Sequence, residues 1–260
     1  MDWLEDDYQN AVLCGVLDAA RDHDANVVCF AGGVLDSPTR LGRQRNAIYE
    51  LVGPQNVDGL VVMAGTIGNH VGPEALAAFL ERFRPLPMCS VAMPIPGVPS
   101  VLVDNATGMR EALVHLLDHH RAERVACIRG PEANPEAAGR YGVYCDVLSE
   151  RRLPIEPALT VVGDFQQASG AAAIDLLLGE RGLRPDAIVA INDDMALGAL
   201  QALRARGLRV PRDVALVGFD DVDAAEFSNP PLTTVRQPLR EQGARAAEMV
   251  LAQLRGEAVD

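Results

Sequence analysis

Apolar residues along the chain fall into two patterns that alternate from end to end. Spacing near 3.6 residues marks amphipathic helices, and short unbroken apolar runs mark strands buried on both faces. Helical spacing runs from about Glu5 to His23, with Val12, Val16 and Ala20 on one stripe and Leu13 and Leu17 beside it. The run NVVCFAG, Asn26 to Gly32, predicts a strand, followed by a helix from about Thr39 to Leu51, the strand DGLVVMA and a helix from about Pro73 to Arg84. Two short strands, PMCSVAM and SVLVD, flank the turn-forming PIPGVP. After Asp104-Asn105, side chains suited to an N-cap, the helix TGMREALVHLLDHH carries Leu113, Leu116 and Leu117 inward. The strand RVACIRG, a helix around Pro135 to Arg152, the strand ALTVV and a helix from about Gln167 to Leu178 come next. A strand–helix–strand segment from Asp186 and a last helix, Leu239 to Leu254, complete the pattern.

Such alternation implies an α/β fold of parallel sheets, covered by helices on both faces and linked by right-handed crossovers. About ten strands are too many for one compact sheet of this length, so two doubly wound parallel-sheet lobes are expected. The boundary falls near Val103 to Ala106. A doubly wound half begins with a strand, yet here a helix starts almost at residue 1, and the chain ends on a helix. The first lobe is therefore expected to lack its first and last strands, or the sequence is a piece of a longer one.

The segment from Asp186 to Val235 holds the most chemistry. The runs DAIVAI and DVALVGF stop abruptly at Asn192-Asp193-Asp194 and at Asp220-Asp221. Buried parallel strands that end this way deliver polar side chains to the carboxyl edge of the sheet, where open α/β sheets bind ligands.

Composition narrows the classes. With 260 residues, 48% hydrophobic and 23% charged, the chain has the make-up of a soluble globular protein. No apolar run approaches the ~20 residues that cross a bilayer, and the acidic start MDWLEDDYQN is unlike a signal peptide, so a cytoplasmic protein without membrane contact is expected. A net charge of −13 argues against these residues gripping a phosphate backbone. The five cysteines, Cys14, Cys29, Cys89, Cys127 and Cys145, have no metal or redox spacing and read as buried reduced thiols. His115 and His119 stand four apart, a metal-compatible spacing, but no motif places a third ligand beside them and a solvated helix end is the expectation. Nucleophile elbows, phosphate loops and dinucleotide fingerprints are absent from the sequence, so neither catalysis nor a cofactor is expected.

The segment INDDMALGALQALRARGLRVPRDVALVGFDDVDAAEFSNPPLTTV resembles the ligand-binding region of LacI/GalR-type bacterial regulators, with an ND-x-MALG helix start, a VP-x-D strand ending in VGFD and a PPLTT crossover in the same order. VDGLVV, VDNATGMREALVHLL, RVACIRGP and RYGVY extend the resemblance over nearly the whole chain. It implies a periplasmic-binding-protein-like domain of type I: an N-terminal lobe of residues 1–103 plus 236–260 and a C-terminal lobe of 104–235, with a small molecule bound in a hinged cleft.

Site residues implied by the resemblance are Arg140, Asn192, Asp220 and Phe165. Arg140 would reach ligand hydroxyls or carboxylates with its planar fork, the alternative being a surface arginine in a helix ion pair. Asn192 can donate and accept at once, while Asp193 and Asp194 read as helix caps. Asp220 would accept from ligand hydroxyls, or serve as a turn residue, the role expected of Asp221. Phe165 would stack on a sugar ring or base, or sit in the core. From the first lobe, Asp2, Trp3 and Tyr8, in a loop unlike the family's usual pattern, and Thr66 are candidate cleft residues.

The function implied is an effector sensor for a sugar or nucleoside-like ligand, acting as a homodimer, with DNA bound only through a helix-turn-helix that these residues do not contain. Alternatives are the sensor module of a different signalling protein, the solute-binding protein of a transporter and, least favoured, an α/β enzyme.

Overall fold

All strand pairs run parallel, in two separate sheets. The computed structural model describes residues 1–259. They divide into two compact units: Met1–Val103 with Ala133–Glu136 and the chain from Pro238, and Asp104–Glu132 with Ala137–Gln237.

In the first unit, helix α1 (Asp7–Asp22) is followed by α2 (Arg40–Arg45), β1 (Leu60–Val62), the single turn α3 (Ala64–Ile67), α4 (Gly72–Leu80), β2 (Met88–Val91) and β3 (Ser100–Val101), with sheet order β1-β2-β3. Asp6 caps α1, its carboxylate accepting from the Gln9 N–H at 2.8 Å. The second unit holds α5 (Asn105–Asp118), β4 (Val125–Arg129), α6 (Pro135–Glu150, whose first two residues fall in the first unit), β5 (Thr160–Val162), α7 (Gln167–Ile174), β6 (Ala187–Ala190), α8 (Asp193–Ala205), β7 (Ala215–Val217) and α9 (Asp223–Phe227). Its sheet order is β5-β4-β6-β7. The last helix, α10 (Leu239–Leu254), returns to the first unit and lies along α1, where Arg240 donates to Asp18 at 2.6 Å.

The continuous apolar runs of β4 and β6 are buried throughout, as strands covered on both faces must be. Leu113 and Leu116 of α5, Tyr144 and Leu148 of α6, Ile174 of α7 and Leu203 of α8 pack with them into one core. Tyr144 is fully buried, and its hydroxyl donates to the Val125 carbonyl at 2.8 Å, so the ring adds apolar area without leaving a polar atom unmet. Beyond β7, the PPLTT segment runs alongside the strand: the N–H groups of Gly218 and Asp220 donate to the carbonyls of Thr233 and Val235 at 2.9 and 2.8 Å.

The structure corrects several expectations. Asn26 to Gly32 is not a strand; seven strands form among the described residues rather than about ten. Strand structure requires a paired neighbour, and Asn26 to Phe30 pairs with no strand among the described residues. Val28 is 61% exposed. The predicted helix over 39–51 is split into α2 and a 3-10 stretch, Asn46–Leu51. Cys14 and Cys29 are exposed and Cys145 is half-buried, so only Cys89 and Cys127 are buried thiols.

These differences have a measurable consequence. Val28→Ser will change unfolding free energy by less than about 0.5 kcal/mol in urea titrations. Ile188→Ala, in the middle of β6, will cost about 3 kcal/mol.

Candidate functional site

The carboxyl ends of β6 and β7 carry a buried polar cluster within the second unit. Arg140, on α6, is 3% exposed. Its Nε donates to Asn105 Oδ1 at 2.8 Å and its Nη1 to the Ile191 carbonyl at 2.7 Å, while Asp220 Oδ1 lies 3.7 Å from Nη1. The Phe219 ring covers one face of the guanidinium, 3.9 Å from its carbon. A buried cation needs acceptors and a counter-charge around it, and these contacts tie the starts of α5 and α6 to the ends of β6 and β7. Asp220 is in turn held by Gln237, whose Nε2 donates at 2.6 Å.

Asn192 is buried and occupied at both ends of its amide. Its Oδ1 accepts from the Met195 N–H at 3.1 Å and its Nδ2 donates to the Phe165 carbonyl at 3.0 Å. Asn192, not Asp193 or Asp194, caps α8, because it is the residue with extended backbone just before the first turn. Asp194 accepts from Gln167 instead.

Asp193 is fully buried, and its carboxylate accepts from the Val222 N–H at 3.1 Å and the Thr234 hydroxyl at 2.6 Å. Desolvation raises its pKa to about 6, against the opposing pull of those donors. Gly218 makes the arrangement possible, since a β-carbon there would overlap the Asp193 carboxylate.

Phe165 lies between β5 and α7, half-buried, at φ +69°. A β-carbon on Gly130 would lie 2.7 Å from its ring. Asp220 and Asp221 also have positive φ, +129° and +61°. Non-glycine residues in this region cost of order 1–3 kcal/mol and persist only where surroundings hold them. Asp221 pairs with Arg236 at 2.5 Å, the local turn role expected of it.

The candidates of the first unit have other partners. Gln9 Oε1 accepts from the N–H groups of Asp2 and Trp3 at 2.9 and 3.3 Å, so this side chain shapes the loop. Trp3 is 46% exposed, with the Arg45 guanidinium 4.2 Å over its ring. Desolvation also raises the pKa of Asp2. Tyr8 packs against the core cluster of Val12 and Val91, and Thr66 donates to the Met63 carbonyl at 2.9 Å, inside its own turn. Asp2 and Trp3 thus stand together, Tyr8 is a packing residue and Thr66 is satisfied locally.

Among the described residues no group of three His, Cys, Asp or Glu side chains is placed to hold a metal ion, and no helix is long and apolar enough to cross a membrane. The His115 and His119 rings lie 5.0 Å apart, tilted by 39°, at the end of α5.

The family model of a periplasmic binding protein-like domain matches residues 114–260. The chain is 31% identical over 217 residues to the transcriptional repressor CytR of Escherichia coli K12, a match covering 84% of this chain and 62% of that protein. A cellobiose complex of the transcriptional regulator CelR superimposes with a TM-score of 0.81 at 31% identity, covering 97% of this chain and 74% of that one. A LacI family regulator from Mycobacterium smegmatis gives 0.79 at 30% identity over 95% and 86% of the two chains. This chain belongs to the LacI-type regulator family. It comprises the family's periplasmic-binding-protein-like ligand-binding domain, and spans 62% of the length of CytR.

Within this LacI-type domain, three cluster members escaped sequence reasoning. Asn105 sits beside the α5 cap, but Asp104 performs the capping, accepting from the Ala106 and Thr107 N–H groups, which leaves the Asn105 amide to meet Arg140. Phe219 reads as another apolar residue of its run, and Gln237 carries no sequence signal. Asp193 differs: an acid between Asn192 and the MALG helix invites the cap assignment that Asn192 takes.

The Asp193 carboxyl predicts a pH dependence of stability. Its folded pKa, about 6, lies above the unfolded value near 3.8, so the folded chain holds this proton more tightly. The stability it contributes is full below about pH 4, falls as pH rises to about 6 and is flat above, a loss of up to about 3 kcal/mol. Chemical denaturation between pH 4 and 7 will show a shallower decline for Asp193→Asn than for the parent chain. Equal slopes would place the titrating group elsewhere.

Proposed function

We propose that the polar cluster of the second unit binds a small neutral polyhydroxylated ligand, a sugar or nucleoside, and that the protein is a ligand-sensing regulator. Three non-glycine residues, Phe165, Asp220 and Asp221, held at positive φ at strand ends of one sheet, carry this reading. Strain of that kind collects at ligand sites, where it aims side chains that packing alone would not present. Asp220 accepts hydrogen bonds from hydroxyls, Arg140 donates to hydroxyl oxygens, Asn192 fixes the Phe165 backbone, and the Phe165 ring offers an apolar face to C–H groups. Because the Arg140 and Asp220 charges offset each other at 3.7 Å, a neutral ligand that donates and accepts suits the site better than an anion.

The relatives named repressors and regulators, and the cellobiose bound by CelR, support an effector domain that binds rather than catalyses. In this reading the protein works in the cytoplasm as a homodimer. The ligand biases the domain between two states by binding them with different affinity, and an attached output reads the bias. DNA contact belongs to a helix-turn-helix outside these 260 residues.

A thermal-shift screen of sugars, nucleosides and small acids tests the assignment. A neutral sugar or nucleoside near a hundred times its Kd will stabilise by about 2.7 kcal/mol, a rise of roughly 5–10 °C. Asp220→Asn keeps the side-chain shape and Arg140→Lys the positive charge, whereas alanine at either position removes the side chain and leaves a buried partner group unmet at a cost of about 3–5 kcal/mol. Both conservative variants will lose the shift; a hit that survives both places the ligand elsewhere.

A further inference from the structure

Asp193 is a buried acid to which the proposed ligand site gives no role. It lies fully buried at the start of α8, and its partners are neutral donors from two other segments. The Val222 N–H, at 3.1 Å, and the Asp221 N–H come from the loop after β7, and the Thr234 hydroxyl, at 2.6 Å, from the crossover. Val222 stands directly before α9, and Asp220 and Asp221 hold positive φ, +129° and +61°. The loop that sets the Asp220 carboxylate is therefore held, against the cost of that backbone, by acceptors on Asp193.

The neighbouring charges are committed elsewhere or repel. Arg140 faces Asp220, which Gln237 also holds, and Arg236 of the crossover pairs with Asp221, with Glu226 of α9 acting on the same guanidinium. Asp194, next on α8, accepts from Gln167 of α7, and the end of β7 contributes Gly218, which has no titratable group. Asp221 adds a like charge to Asp193. When a proton arrives, Oδ1 is the oxygen suited to hold it: the Thr234 hydroxyl there can turn from donor to acceptor, whereas the Val222 N–H on Oδ2 can only donate. The loop N–H groups then meet a neutral acid in place of a carboxylate, and a bond to an ionised acceptor is roughly twice as strong as one between neutral groups.

We propose that Asp193 is a proton-operated switch on the loop from Asp220 to Val222: the ionised acid holds the loop, and the neutral acid, bonded through Oδ1 to a reversed Thr234 hydroxyl, loosens it. Desolvation, the largest influence, pushes the acid up to about 6, within reach of a modest change in acidity. Relief of that desolvation stabilises the neutral form as a whole, so the loosening is confined to the bonds that lose a charged acceptor. The proton is thereby an effector in its own right. With Asp220 as the acceptor for ligand hydroxyls, which rests on the function proposed above, acidity and ligand are sensed through one loop.

NMR titration of the 260-residue chain with no ligand added tests the switch separately from the ligand assignment. The Asp221 and Val222 amide signals and the Asp193 carboxyl carbon-13 signal will titrate together with one midpoint near pH 6, and the protection factors of both amides will fall severalfold on the acid side. Asp193→Asn can accept from Val222 and donate to Thr234 as the neutral acid does, so both amides will keep the acid-side position from about pH 4 to about pH 8. Asp221→Asn removes the neighbouring like charge, and asparagine tolerates positive φ, so the Val222 midpoint will fall. Amide signals that stay still through this range, that titrate equally in Asp193→Asn, or whose midpoint is unchanged in Asp221→Asn would overturn the proposal.

Discussion

A guanidinium taken out of water must find acceptors and a counter-charge on every side that water leaves, and Arg140 of α6 meets this demand by gathering three other chain segments. Asn105 comes from the start of α5, the Ile191 carbonyl from the end of β6, Phe219 and Asp220 from the end of β7. None of these segments is adjacent in sequence, yet each ends where the cation needs it. The carboxyl edge of the second sheet is organised by this charge. The backbone of Asp220, far from the usual range for a residue with a β-carbon, is one result.

A second buried charge site works beside it. Asp193 accepts from the Val222 N–H and the Thr234 hydroxyl, joining the start of α8 to the loop after β7 and to the crossover running along that strand. Desolvation raises the pKa of Asp193 against the pull of its donors, whereas Arg140 has acceptors and a carboxylate around it. The two groups fasten the same edge by different physical means, an ion pair with hydrogen bonds and a desolvated acid with donors. Gly218 is the room that the second one needs.

Much of this was legible in the residues. Apolar runs of the second unit gave β4, β6 and β7 with their order of appearance, because strands buried on both faces leave unbroken signals. Abrupt ends at Asn192 and Asp220 pointed to the carboxyl edge where the buried polar cluster lies, and Arg140 stands in that cluster. Long-range partners were not legible: Asn105 and Gln237 are common surface residue types whose roles depend on where the chain returns. The Asn26 to Gly32 run shows the opposite failure. Its composition suits a strand, but a strand exists only through its neighbours, and among the described residues none pairs with it.

The central claim is that a small polar ligand is recognised at the Arg140–Asp220 cluster. Nitrogen-15 NMR of the Arg140 Nε–H, recorded while a stabilising sugar or nucleoside is added, reads that site directly. The resonance, assigned by its loss in Arg140→Lys, is predicted to shift with saturation at the affinity measured by calorimetry. A ligand that binds with the same affinity and leaves this resonance unmoved would contradict the account.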